Sequence, residues 1–199
     1  MLVTDRRLTG EDGLVSAVDE AIDGGVNVVQ FREKDLRDTM LLARVRAKTR
    51  DRALLILNTW RDGVIPADTV GRPTAQGIHL PEDEWMPEVQ PGLIVGRSVH
   101  SVGAAERAMS AGADYVVAGP IYETDSHLGR APAGVDLIRK ITEVVSVPVI
   151  AIGGIDYQRV PEVMRAGASG VAVISAILGS SNRREAAAQL WNALGVSSP

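Results

Sequence analysis

The sequence predicts an α/β fold, a single domain over residues 1–199 built as an eight-stranded parallel (β/α)8 barrel of the TIM type. Three observations carry the prediction. A helix end, a glycine and an apolar strand recur in that order at 21–30 (AIDGGVNVVQ), 108–119 (AMSAGADYVVAG) and 163–175 (VMRAGASGVAVIS), as expected of βα units repeated around a parallel sheet. Eight apolar runs alternate with amphipathic stretches along the chain. The segment from Ser146 to Leu178 reads as strand, glycine turn, helix, strand and short helical turn. At 199 residues the chain is at the small end for such a barrel, and a doubly wound open sheet is the alternative architecture.

The strands are expected at 2–4, 26–31, 53–57, 77–80, 93–96, 115–118, 148–152 and 170–174. Most are unbroken apolar runs, the pattern of strands buried on both faces. Helices are expected near 11–23, 36–50, 101–111, 135–145, 157–166 and 183–194, with short or irregular segments near 60–70 and 82–89 and a frayed tail, GVSSP. Asp156 can cap the helix that carries Val160, Val163 and Met164, and Gly167 stands where a left-handed C-cap is wanted.

Composition narrows the function. A hydrophobic content of 45% supports one substantial core, and a net charge of −4 without a basic run argues against nucleic acid and anionic membrane. Aromatics make up 4%, too few for a base-stacking platform. There is no cysteine for a disulfide or a thiolate metal site. The opening MLVTDRR has no signal-peptide core, and no apolar run approaches the roughly 20 residues of a membrane span, so a cytoplasmic protein is expected.

In a barrel, chemistry belongs at the C-terminal ends of the strands, and polar residues gather there. Gly153, Gly154, Ile174 and Ser175 would bring backbone N–H groups to the ends of two adjacent strands, a setting that suits phosphate. Gln30, Arg32, Glu33 and Lys34 end the second strand. Arg32 and Lys34 alternate, so both can face the mouth and hold a diphosphate or carboxylate, or else the run is a solvated one with Glu33 neutralising its neighbours. Asn58 ends the third strand, His79 the fourth, and Arg97, Ser98 and His100 the fifth. His79 and His100 suit hydrogen-bonded core positions. The longest loop, GPIYETDSHLGRAPAG, carries Glu123, Thr124, Asp125, Ser126 and His127, and His127 could move a proton near neutral pH. Asp83 and Glu84 could serve a divalent cation, or simply favour a helix start.

LVTDR, GGVNVVQFREK, GIHL, GRSVHS, AGADYVVAGPIYETDS, PVIAIGGI and AGASGVAVISAI, in order along nearly the whole chain, resemble the thiamine-phosphate synthase superfamily, which includes the thiazole tautomerases. The resemblance implies an eight-stranded βα barrel. It implies that Gln30, Arg32, Lys34 and Asn58 face the aminopyrimidine diphosphate in a synthase, that Thr124 and Ser126 lie near the thiazole, and that Gly154, Ile174 and Ser175 hold its phosphate.

Several positions depart from the synthase pattern. Asn58-Thr59 stands in place of Asn-Asp, Pro81-Glu82-Asp83-Glu84 in place of Gly-Gln and a metal-binding Asp, and His127 in place of a lysine. HLP, GRSVHS and YETD look more like the tautomerase branch, although Pro120 occupies a position where that branch can carry histidine. The reading drawn from these departures is a metal-free thiazole-phosphate tautomerase that aromatises a carboxythiazole phosphate. His127 would be its proton shuttle, the carboxylate would lie near Arg32 or Lys34, and Ser98 joins the substrate-binding set. The alternative is a thiamine-phosphate synthase, with Mg2+ held by Glu84 and Asp83. A noncatalytic precursor-binding regulator is a third reading. The expected partner is a phosphorylated thiazole, with a homodimer left open.

Overall fold

A computed structural model describes residues 1–33, 39–58, 74–84, 91–124 and 131–195. Its eight strands form one sheet in chain order: β1 (Leu2–Val3), β2 (Val28–Phe31), β3 (Leu54–Asn58), β4 (Gly77–Leu80), β5 (Ile94–Val99), β6 (Tyr115–Ala118), β7 (Val149–Ile152) and β8 (Gly170–Ala172). The described pairings are parallel. The helices among the described residues are α1 (Glu11–Asp23), α2 (Thr39–Thr49), α3 (Val102–Ser110), α4 (Val135–Thr142), α5 (Val160–Arg165), α6 (Ser175–Leu178) and α7 (Arg183–Ala193). Parallel strands in sequential order, alternating with helices, place the chain in the predicted (β/α)8 barrel class.

The chain divides into two compact units. The first comprises Met1–His79, Pro87–Ile94 and Ile174–Ala188. Its ladder pairs Val3 with Gln30, Gln30 with Ile56, and Asn58 with His79. The helix α1 buries Leu14, Val15, Val18, Ala21 and Ile22, an i, i+3, i+4 stripe. On the outside, Asp19 accepts from Lys48 at 2.6 Å and from Arg52 at 2.7 Å, tying α1 to α2 and the turn after it. A 3-10 turn at Arg6–Leu8, which periodicity does not foresee, is capped by Asp5, whose carboxylate accepts the Arg7 N–H at 3.1 Å.

The second unit comprises Leu80–Met86, Val95–Val173 and Gln189–Pro199. The strand β5 runs to Val99, three residues beyond its predicted end, because Arg97 and Ser98 stay in the ladder opposite Val116 and Val117. Ser101 caps α3 by accepting the Ala104 N–H at 3.2 Å. The strand β8 stops at Ala172 rather than 174, since Ile174 already has the N-cap place of α6, with φ −119° and ψ −82°.

The three repeated sequence patterns share one geometry. Gly25, Gly112 and Gly167 have φ of 105°, 91° and 101°. Each glycine N–H bonds the carbonyl three residues back, and the next residue's N–H reaches five back, from Val26 to Ala21, Ala113 to Ala108 and Ala168 to Val163. This pairing of hydrogen bonds is the Schellman helix stop.

Candidate functional site

In the first unit the end of β2 carries an ionic cluster. Gln30 is buried, and its carbonyl accepts the Thr4 N–H at 2.9 Å. The backbone N–H of Arg32 donates to Thr4 Oγ1 at 2.9 Å. Burial of the Arg32 guanidinium draws its pKa below the ordinary value, while the charges of Asp5 and Glu33 oppose that shift. Asp5 is fully engaged: Arg7 grips its carboxylate with two donors at 2.8 and 2.5 Å, which holds it below the usual carboxylate range.

Glu33 does not fit the alternative of a solvated charge run. It is only 4% exposed, and its carboxylate accepts the Arg6 N–H at 3.1 Å. Burial raises its pKa, against the lowering effect of hydrogen bonds from Thr4 and Arg6. Asn58 is half-buried at the end of β3, opposite the buried His79. Ile174 and Ser175 open the four-residue α6. Lys34 lies outside the described residues.

In the second unit, Glu82 takes a role the sequence reading did not give it. Its carboxylate accepts the His100 N–H at 2.8 Å and lies 2.6 Å from His100 Nδ1. Arg97 Nη1 donates to the Glu82 carbonyl at 3.2 Å. The turn after β4 is therefore held at both its backbone and its side chain, and it carries the exposed Asp83 and half-buried Glu84. Ser98 and Thr124 are half-buried, while Ser126 and His127 lie outside the described residues. No group of three metal-ligating His, Cys, Asp or Glu side chains occurs among the described residues.

The glycine turn after β7 has the most defined geometry. Gly153 and Gly154 have φ of 102° and 61°, a region open to glycine. A Cβ on Gly153 would stand 2.7 Å from Pro120, and one on Gly154 would stand 2.3 Å from the Glu123 carbonyl oxygen. The Gly153 carbonyl accepts the Tyr122 N–H at 3.1 Å, and the Gly154 carbonyl accepts from Arg159 Nη1. In a trans peptide the following N–H points opposite to its carbonyl. The N–H groups of Gly154 and Ile155 are thus turned away from these partners, and neither donates a hydrogen bond among the described residues. Successive backbone N–H groups in a turn can form a concave, electropositive seat for an anion.

Beside the turn, the Arg159 guanidinium lies 4.6 Å from the centre of the Tyr122 ring, and Tyr122 Oη donates to Glu162 at 2.8 Å. Burial, then the Glu162 carboxylate, pushes the Tyr122 phenol up to about 12, so it stays a donor. Asp156 accepts the N–H groups of Gln158 and Arg159, both at 3.0 Å, just ahead of α5. Tyr122, Arg159 and Glu162 were not singled out from sequence; the only local hint was an arginine and a glutamate three residues apart beyond the glycines.

Comparison with known proteins bears on this site. The family described as thiamine monophosphate synthase matches residues 1–177. A putative thiamine-phosphate synthase of Geobacter sulfurreducens is 39% identical, over 95% of this chain and 91% of its own. Thiamine-phosphate synthase of Pyrococcus furiosus is 37% identical, over 95% and 91%. Thiamine phosphate pyrophosphorylase from Pyrococcus furiosus superposes with a TM-score of 0.82 at 35% identity, covering 98% of this chain and 94% of that one. Orotidine 5'-phosphate decarboxylase from Pyrococcus horikoshii superposes with a TM-score of 0.70 at 14% identity, a likeness of fold alone, covering 99% and 100%.

These relatives overturn the tautomerase expectation, and with it the isomerase assignment. HLP, GRSVHS and YETD look like the tautomerase branch, and Thr59, Glu84 and His127 depart from the synthase pattern, yet relatives matching this chain nearly end to end carry the synthase name. On the extent of these matches, the chain belongs to the thiamine monophosphate synthase family.

Proposed function

We propose that this protein is a thiamine-phosphate synthase, a transferase joining hydroxymethylpyrimidine diphosphate to a thiazole phosphate. The observation that carries the reading is the pair of synthase relatives at 39% and 37% identity over 95% of the chain. In the reaction the pyrimidine methylene loses its bond to the diphosphate oxygen, pyrophosphate departs with that electron pair, and the thiazole nitrogen forms the new bond to the methylene carbon. The free amides of the Gly153–Gly154 turn support phosphate binding. Gln30, Arg32, Lys34 and Asn58 are assigned to the pyrimidine diphosphate, and Ser98, Thr124 and Ser126 to the thiazole side.

A departing pyrophosphate accumulates negative charge. Arg32 remains cationic despite burial, because arginine titrates far above neutrality. The donor set suits Mg2+ as well: this ion takes one or two protein carboxylates and draws its other oxygens from substrate phosphates and water, so Glu84, with Asp83 beside it, suffices without a three-ligand cluster. When bound there, Mg2+ would supply charge neutralisation for the leaving group.

The test is incubation of the purified protein with both substrates and millimolar Mg2+, following thiamine phosphate and pyrophosphate together. Stoichiometric appearance of both is expected. Absence of both from a protein that binds the two substrates would overturn the assignment.

A further inference from the structure

We infer that Arg159 is a positioning residue for the phosphate seat, acting through the Gly154 carbonyl with Tyr122 and Glu162 as its supports. The inference rests on the reading that the glycine turn takes the thiazole phosphate.

The argument starts with peptide planes. Two consecutive carbonyls must point away from the anion for the two following N–H groups to point towards it. The first, of Gly153, is fixed by the Tyr122 N–H at 3.1 Å, a backbone bond that any residue at 122 would supply. The second, of Gly154, is fixed by a side chain, the Arg159 guanidinium. Glycine at φ 61° has wide conformational freedom, so without that acceptor bond the Gly154 peptide can rotate and withdraw the Ile155 N–H.

Arginine is itself held in place. Its guanidinium lies 4.6 Å from the centre of the Tyr122 ring, and its backbone N–H is tied to Asp156 at 3.0 Å. Tyr122 is anchored in turn by its hydroxyl on Glu162 at 2.8 Å. Every member therefore has a neighbour that restricts it, which lowers the entropy cost of keeping a long exposed side chain in one geometry. Lysine retains the positive charge but loses the planar face that lies over Tyr122.

The experiment measures steady-state kinetics and calorimetric binding of hydroxyethylthiazole phosphate for wild type, Arg159→Ala, Arg159→Lys and Tyr122→Phe. Arg159→Ala should raise both KM and Kd for the thiazole phosphate about tenfold, as loss of one charge-assisted hydrogen bond implies. The kcat and the KM for the pyrimidine diphosphate should stay within about twofold, a split that general destabilisation would not produce. Arg159→Lys and Tyr122→Phe should each fall between wild type and Arg159→Ala. The unphosphorylated thiazole alcohol should bind all four alike. An Arg159→Ala protein that folds and keeps the wild-type KM and Kd would overturn the inference and leave the synthase reading intact. A wild type that binds the thiazole phosphate but forms no thiamine phosphate would overturn the synthase reading, while the binding series still decides the role of Arg159. Should Arg159→Ala fail to fold, Arg159→Lys and Tyr122→Phe carry the same decision: wild-type affinity in both would refute it.

Discussion

Glu82 reaches His100 twice, once at the backbone N–H at 2.8 Å and once at Nδ1 at 2.6 Å, across 18 residues of sequence. The contact fixes the turn after β4 to the end of β5, and the turn leads directly to Glu84.

Replacing Glu82 with alanine should therefore loosen that turn. The expected loss of unfolding free energy is about 1–2 kcal/mol, the lower range for hydrogen bonds to a charged group because both side chains are partly exposed. Glu82→Gln retains an acceptor for the backbone N–H and should lose about half as much. Urea unfolding at neutral pH checks both values.

Glu33 gives stability an unusual pH dependence. Its folded pKa is raised above the ordinary 4.5, so the folded state binds the proton more tightly than the unfolded chain. Stability from this group is full below that value and declines as pH rises through the folded pKa. Asp5 has the opposite sign, since its folded pKa lies below the ordinary 3.8 and its contribution is lost as pH falls beneath that value. Glu33→Gln should flatten the decline above pH 4.5 and leave the acid limb unchanged. Urea unfolding of both proteins from acid to neutral pH gives the comparison; parallel curves would assign Glu33 an unshifted titration.

At Gly154 a side chain meets two obstacles, a backbone φ of 61° and the Glu123 carbonyl 2.3 Å from the new Cβ. Left-handed strain costs on the order of 1 kcal/mol, and the overlap adds about 1–3 kcal/mol if the backbone must move. Gly154→Ala is expected to lower the unfolding free energy by about 2–4 kcal/mol, a sum of those two effects. It should also weaken thiazole-phosphate binding at least tenfold where folded, as the seat shifts with the backbone. Thermal unfolding and calorimetry test the two consequences separately.

Metal removal tests the role of Glu84. Synthesis should stop in EDTA and return with added Mg2+. Glu84→Gln, which keeps the shape but not the charge, should raise the half-saturating Mg2+ concentration about tenfold, as expected when one of very few carboxylate ligands is lost. Titrating Mn2+ in the presence of the diphosphate substrate, followed by electron paramagnetic resonance, reads the same change without turnover.

The strands were legible in sequence because a strand buried on both faces must be apolar at every position. Phe31, Leu55, Ile56, Leu57 and Val116 are all 1% exposed or less. The helix stops were legible because a left-handed C-cap needs glycine. What escaped was contact between residues distant in sequence: Arg6 with Glu33, 27 apart, and Tyr122 with Glu162, 40 apart. Periodicity and local propensity do not encode such pairs. Sequence leaves open whether Glu33 belongs to a solvated run, because no neighbour in sequence reveals that Thr4 and Arg6 come back to meet it. The choice of reaction escaped for a chemical reason. Glutamate offers Mg2+ the same oxygens as aspartate, so a departure at Glu84 does not by itself remove the metal.

The shared helix stop at Gly25, Gly112 and Gly167 acts as a reset along the chain. Because side chains alternate across a strand, an error of one residue on entering it would turn every inward group outward. Each stop is closed by hydrogen bonds no more than five residues long, so it is set by its own helix end and by nothing farther away. A residue gained or lost in the loop ahead of α1, α3 or α5 is absorbed before the glycine is reached. The strand beyond it then starts on the same foot, and the polar residues at its far end keep their address.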